Sequence, residues 1–341
     1  MDERVTDRLQ KVLEGFAAEI AVAGDFMLDE YVWGTVNRIS PESPVPVVEY
    51  LGQSSALGGA GNVVMNVKAL GGIPAPLGIL GDDEAGRKVR EALEREAGVR
   101  AEFLYTDAAR PTTVKRRIIA HHQQLLRIDS ESRDPLSPDL EQRLVEALEI
   151  AAARSKAVIV SDYGKGVVTR SFFDQAVQIC VRLGIPLILD PKAFDLTGVG
   201  PVTVITPNER EAERFSRQRI HGDQDLEEAG RRLLELTGAQ HILITRGEHG
   251  MSLFAANGAV IHIPAQARDV FDVTGAGDTV VATLALALAA GADMREAAEV
   301  ANLAAGIVVG KVGTATVSRA ELEAALNGEW PRFPEPRRRA R

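Results

Sequence analysis

A chain of 341 residues, 45% hydrophobic and 26% charged, can bury a large core, which excludes a disordered polypeptide. Its formal net charge of −9 excludes a broad basic face. A nucleic-acid or membrane-surface role is therefore not expected, and an anionic ligand must be met by a local cluster of cations.

The heavily charged residues 1–19 do not read as a secretory leader, and the single cysteine, Cys180, cannot close an intramolecular disulfide, so a cytosolic location is expected. The first short aliphatic run, at 20–23, predicts a buried strand. Residues 45–50 follow a proline-rich stretch (Pro41, Pro44, Pro46) and read as a strand outside the main alternation. A helix is expected over 84–96, capped by Asp82-Asp83, with Arg87, Glu91 and Arg95 four residues apart. Residues 112–130 lack a helical period and again read as strand. The adjacent His121 and His122 lack an i, i+4 partner and are read as ordinary strand residues, not metal ligands.

Helical patterns at 137–154 and 225–236 alternate with aliphatic runs at 157–160, 186–189, 202–205 and 241–244. That alternation predicts an α/β fold, a mostly parallel sheet with helices on both faces, and the two excursions form a small β-sheet lid. Cys180 falls in an apolar helical stretch and is expected in the core. The apolar run 280–290 is shorter than the roughly 20 residues needed to cross a bilayer and reads as a buried helix beginning near Thr279. The Pro- and Arg-rich tail at 331–341 is expected to be solvated.

The string Asp272-Val-Thr-Gly-Ala-Gly-Asp278 carries the clearest chemistry. Gly275, Ala276 and Gly277 lie just before that helix, so their free N–H groups and the helix dipole can meet a phosphoryl group. Asp278, in the first turn, would face the same spot as a general base, and phosphoryl transfer asks mainly for such positioning and charge stabilisation. A tight turn, with Asp278 merely complementing the dipole, reads the same residues. No Walker loop is present, since Gly306-Ile-Val-Val-Gly310-Lys311-Val312 has the wrong spacing and no hydroxyl. The first strand ends Ala23-Gly24-Asp25-Phe26, without a dinucleotide-binding glycine pattern.

Together with Gly58-Gly-Ala-Gly-Asn62, Gly78-Ile-Leu-Gly-Asp-Asp83 and Thr206-Pro-Asn-Glu-Arg-Glu211, that string resembles the ribokinase-like (PfkB) carbohydrate kinases in order and spacing, over roughly residues 19–327. Longer strings are similar to the heptose 7-phosphate kinases of that family: Arg38-Ile-Ser-Pro-Glu-Ser-Pro-Val-Pro-Val47, Gln123-Gln-Leu-Leu-Arg127-Ile-Asp129, Ser161-Asp-Tyr-Gly-Lys-Gly166, Asp190-Pro-Lys192, Gly250-Met-Ser-Leu253 and Gly310-Lys-Val-Gly-Thr-Ala-Thr-Val317. No His-x-Gly-His motif follows residue 330, so the adenylylation step of the bifunctional members is expected of a separate protein.

The resemblance implies a kinase domain over 18–327, with lid segments near 31–51 and 102–130 and a basic tail at 328–341. It implies ATP and Mg2+ as cofactors, a sugar phosphate as substrate, no nucleic-acid or membrane partner, and a homodimer formed through the lid. Asp25 would accept hydrogen bonds from sugar hydroxyls, or serve as a turn carboxylate; Gly58, Gly59 and Asn62 would let the backbone approach the sugar, or form a glycine-rich turn into a helix. Cations for the substrate phosphate would come from among Arg38, Lys115, Arg117, Arg127, Lys165 and Lys192, with Lys165, Lys192 and Arg127 first and several of the six ordinary surface charges. Asn208 and Glu211 would position magnesium through water, or cap a helix. Thr245, Arg246, Gly247 and Asn302 would lie on the nucleotide side, and Asp272 and Thr274 at a monovalent-cation (K+) site.

The activity implied is ATP-dependent phosphorylation of D-glycero-β-D-manno-heptose 7-phosphate at its anomeric hydroxyl, in the synthesis of ADP-heptose for lipopolysaccharide. The alternatives are a sister kinase for fructose phosphate, ribose or a ketodeoxy sugar acid, and a catalytically silent nucleotide- or sugar-binding regulator.

Overall fold

Ile20 and Val22 turn to one face of the first strand, Ala21 and Ala23 to the other, and all four are buried, so the strand is covered on both sides. The computed structural model describes residues 3–121, 123–267, 270–311 and 313–331. In chain order its strands are β1 (Glu19–Gly24), β2 (Phe26–Ile39), β3 (Pro46–Gly59), β4 (Ile73–Gly81), β5 (Phe103–Asp107), β6 (Thr113–Ala120), β7 (Gln123–Ser130), β8 (Ala157–Ser161), β9 (Leu187–Asp190), β10 (Val204–Ile205), β11 (His241–Thr245), β12 (Met251–Ala255) and β13 (Val260–Ile263). The helices are α1 (Glu3–Glu14), α2 (Ala60–Ala69), α3 (Glu84–Glu91), α4 (Pro138–Ala152), α5 (Arg170–Leu183), α6 (Glu209–Ser216), α7 (Asp223–Thr237), α8 (Ala276–Ala289), α9 (Met294–Val308) and α10 (Arg319–Leu326).

Nine strands form the large sheet in the order β13-β12-β11-β10-β9-β8-β1-β4-β5, all running one way except β12, which pairs antiparallel with β11 and β13. Leu9, Val64, Leu284, Val300 and Leu322 cover one face from α1, α2, α8, α9 and α10. Leu144, Phe172 and Leu233 cover the other from α4, α5 and α7. Four of these helices start at side-chain caps: Ser137 ahead of Pro138 in α4, Thr169 in α5, and capping boxes Asp293/Glu296 in α9 and Ser318/Glu321 in α10. Among the described residues no helix is long and apolar enough to cross a membrane.

The four-stranded small sheet, β3-β2-β6-β7, leaves the large one where β1 passes through Asp25 into β2. It differs from the expected lid segments in two ways. Its first strand begins at Phe26, not near 31, and Phe103–Asp107, inside the expected segment 102–130, pairs with β4 as the edge of the large sheet. A five-residue edge strand ending Tyr-Thr-Asp gives too short an apolar run to be told from a loop. The helix expected over 84–96 ends at Glu91 and continues as a π-helical turn, Ala92–Glu96. The buried helix expected from near Thr279 starts at Ala276, three residues earlier. His122 and residues 332–341 of the tail lie outside the described residues.

Gly230 in α7 shows how closely the helices pack on the sheet, since a Cβ there would sit 2.6 Å from the fully buried Phe254 ring. Gly230→Ala gains about 1 kcal/mol of helix propensity but overpacks the core at about 1–3 kcal/mol. A net loss of thermal stability is expected in a melting experiment, and a gain would show that Phe254 can retreat.

Candidate active site

Parallel strands end at one edge, and there the sequence places a run of carboxylates: Asp25 after β1, Asp162 after β8, Asp190 closing β9. Helix α8 begins at the same edge with Gly275 in a left-handed conformation (φ 81°). A Cβ at Gly275 would lie 2.7 Å from Asn62 Nδ2, whereas one at exposed Gly277 would meet only open space. The helix start is therefore open at Gly277, with the positive end of the helix dipole behind it, but the expected trio of free amides is incomplete: the Ala276 N–H donates to Val273 O at 3.3 Å.

Asp278 is the third residue of α8, and its side chain is buried. Asn62 Nδ2 donates to Oδ2 at 2.7 Å and the Tyr163 hydroxyl donates to Oδ1 at 2.6 Å. Asn62 is itself tied to Asn66, which accepts from the Thr279 hydroxyl at 2.9 Å, so α2 and α8 are joined by a polar seam. Burial pushes the Asp278 carboxyl above its ordinary range; the two donors and the Lys192 ammonium pull it back, and the Asp29 charge adds to the rise.

Asp25 departs from its expected role. It is fully buried, and its oxygens accept from the amides of Tyr163 (2.7 Å), Lys165 (3.1 Å) and Val167 (3.3 Å). A carboxylate so filled holds the loop after β8 and has no free face for sugar hydroxyls. Asp162 does the same next door, accepting from Gly164 and from Lys192, Ala193 and Phe194 beyond β9. The carboxylate that the sequence reading missed is Asp29, one turn of chain further on β2, buried beside Gly58 and 2.5 Å from Arg117. Tyr163 and Asp190 were also missed as site residues, although both lie within the heptose-kinase strings that signalled them. Gly59 (φ 56°) allows the backbone to turn from β3 into α2 under Asp25.

The expected cations separate into two groups. Lys192 lies at the cleft, with its ammonium 2.9 Å from Glu211, 3.6 Å from Asp190 and 5.7 Å from the Tyr163 ring centre. Burial, aided by the Asp278 and Glu211 charges, pushes Asp190 up to about 7, while Lys192 is held charged by its two carboxylates. Lys165 is buried and pairs with Glu131 at 2.7 Å, and Lys115 reaches Asp129 and Glu131 at 3.5 and 3.8 Å. Arg127 is exposed on β7 and forks onto Asp129 at 2.8 and 2.9 Å. Arg38 is not brought to the cleft: it is exposed near the far end of β2, about 30 Å of extended chain beyond Asp29.

Asn208 and Glu211 form a full capping box on α6, and Glu211 also receives Lys192. Among the described residues no cluster of three acids, histidines or cysteines could cage a metal. Arg246 is locked to Glu209 and Asp223 at 3.2 and 2.6 Å, next to Thr245 at the end of β11 and Gly247 (φ 54°). Asn302 is buried and donates to Pro264 O at 2.8 Å. Asp272 accepts from the amides of Thr274 and Gly313 at 2.9 and 3.0 Å, which holds its carboxyl below the ordinary range.

Burial is the main reason that Asp25 is pushed up to about 6. The native chain thus binds this proton more tightly than the unfolded chain, so Asp25 costs stability as pH rises through about 4 to 6. The stability of the wild type relative to Asp25→Asn is expected to fall by about 1–2 kcal/mol between pH 5 and pH 8. Denaturant unfolding at the two pH values checks this, and a constant difference would show that Asp25 is charged throughout.

A family model described as "pfkB family carbohydrate kinase" matches residues 17–321. The chain is 48% identical over 313 residues to the bifunctional protein HldE of Desulfatibacillum aliphaticivorans, covering 92% of this chain and 64% of that protein. It is 46% identical over 305 residues to HldE of Pelobacter propionicus, covering 89% and 62%. The chain therefore spans less than two thirds of the length of these relatives. Arabidopsis thaliana ribokinase, solved with ribose and ATP, shares the fold with a TM-score of 0.74 at 22% identity, covering 91% of this chain and 99% of that one. Escherichia coli phosphofructokinase-2, solved with potassium, aligns with a TM-score of 0.71 at 17% identity, covering 91% and 99%.

Proposed function

The chain belongs to the pfkB family of carbohydrate kinases and is by family an ATP-dependent sugar kinase, and we propose that it phosphorylates D-glycero-β-D-manno-heptose 7-phosphate at the anomeric hydroxyl. The observation that carries this reading is Asp278, a buried carboxylate held by two donors beside the open amide start of α8. The likeness to HldE proteins and the heptose-kinase strings support the choice of sugar. Asp278 takes the proton of the anomeric hydroxyl, and that oxygen forms a bond to the γ-phosphorus of ATP. The bond to the β,γ-bridging oxygen breaks, and ADP leaves with the electron pair. The amides of Gly275 and Gly277, on either side of the engaged Ala276 N–H, stabilise charge on the moving phosphoryl group.

Magnesium, which Glu211 would hold through water, neutralises phosphate charge when bound. Lys165 and Lys192, on the two loops fixed by Asp25 and Asp162, are our choice for the substrate phosphate, with Arg127 nearer the lid surface. Potassium at Asp272 and Thr274 rests on the likeness to the potassium-bound neighbour. The small sheet, which exposes Trp33, Tyr50, Leu51, Leu126 and Ile128, closes over the sugar and pairs with a second copy. Sedimentation equilibrium is expected to give twice the 36.6 kDa chain mass, and a monomer at all concentrations would contradict the pairing.

Asp278→Asn keeps the shape and the cleft but removes the base, so turnover is expected to fall at least 100-fold with ATP binding unchanged. Equal loss of turnover and ATP affinity would mean that Asp278 serves the fold. A panel of sugars with ATP and magnesium tests the substrate. Turnover of fructose phosphate, ribose or a ketodeoxy acid but not the heptose 7-phosphate would move the assignment to a sister kinase, and ligand binding without any turnover would mark a regulator.

A further inference from the structure

The loop 162–167 is held mainly by one buried side chain. Its backbone amides at 163, 165 and 167 all point at Asp25, a fully buried carboxylate with no other partner among the described residues except its neighbouring backbone. Gly164 and the start of the 192–194 segment are fixed in turn by Asp162. Two carboxylates thus hold seven amides, more than a turn needs for its own stability. What the loop delivers into the cleft is the Tyr163 phenol, which donates to Asp278 Oδ1 at 2.6 Å across 115 positions of sequence. Burial and the nearby Asp278 and Asp190 charges keep that phenol protonated, so it remains a donor.

We propose that Tyr163 is a positioning residue for phosphoryl transfer: set in place by Asp25, its hydroxyl stays on Asp278 Oδ1 and fixes the carboxylate that receives the acceptor's proton. This rests on the reading of Asp278 as the base. With Asn62 on Oδ2 and Tyr163 on Oδ1, rotation of the carboxylate would break two charge-assisted hydrogen bonds, so only the remaining lone pairs face the cleft. The other charged groups around Asp278 are Lys192, which favours its ionised form, and Asp29 and Asp190, which oppose it. Tyr163→Phe keeps the ring that lies 5.7 Å from the Lys192 ammonium and removes only the hydroxyl, so a change in the proton affinity of Asp278 reports on the lost hydrogen bond.

The test is the pH profile of kcat for Tyr163→Phe, with Asp278→Asn as the control. Loss of a hydrogen bond to a charged group is expected to lower kcat about 10- to 100-fold at pH 7. It also moves the acidic limb of the profile up by about one pH unit, while ATP affinity holds. A residue that only packs would lower the melting temperature and leave the limb in place, which overturns the proposal. If Asp278→Asn still turns over, the base assignment has failed; if that variant is dead and Tyr163→Phe has a wild-type profile, only the role of Tyr163 has failed. Should the phenylalanine variant not fold, 3-fluorotyrosine at 163 keeps the shape and strengthens the donor. The limb is then expected to move down, and an unmoved limb again contradicts the proposal.

Discussion

A carboxylate taken out of water must be given donors or it will take a proton, and Asp278 is the place where this chain meets that constraint. Burial alone would leave the group neutral and useless as a base. The side chains of Asn62 and Tyr163, with Lys192 nearby, work against that outcome. Each of these arrives from a different element, so the chemistry of one side chain requires α2, the loop after β8 and the loop after β9 to be in register.

The large parallel sheet supplies that register. Strands β1, β8 and β9 are neighbours and end at one edge, where Asp25 and Asp162 gather the amides of the two following loops. Buried charge is expensive, and here it is used to fix loops that carry Tyr163, Lys165 and Lys192. The small sheet grows from the same corner: β2 follows Asp25 directly and carries Asp29 to Arg117 at the inner end of the lid. The two sheets are therefore covalently continuous through Asp25, between β1 and β2.

Much of this was legible in the sequence because the signals were local. The runs at 20–23, 157–160 and 241–244 are apolar on both faces, as strands buried on both sides must be, and each became a strand of the large sheet. Asp278 could be placed at a helix start from two glycines and the apolar run behind them. What could not be read was pairing over distance. Asn62 lies 216 positions from Asp278, and nothing in its own neighbourhood says that it binds a carboxylate rather than a sugar. Asp25 and Asp29 sit on the same stretch, four residues apart, and no period distinguishes the one that the 163–167 amides consume from the one that faces Arg117. Arg38 stood among the same candidate cations as Lys165, behind it in rank, and the length of β2 is what takes it away from the site.

The most direct measurement is a crystal structure with D-glycero-β-D-manno-heptose 7-phosphate and a non-hydrolysable ATP analogue. The account predicts the anomeric hydroxyl within about 2.6–3.2 Å of Asp278, the γ-phosphate against the amides of Gly275 and Gly277, and Asn62 and Tyr163 still on the carboxylate. A sugar hydroxyl bound elsewhere, with Asp278 closed off from both ligands, would contradict it.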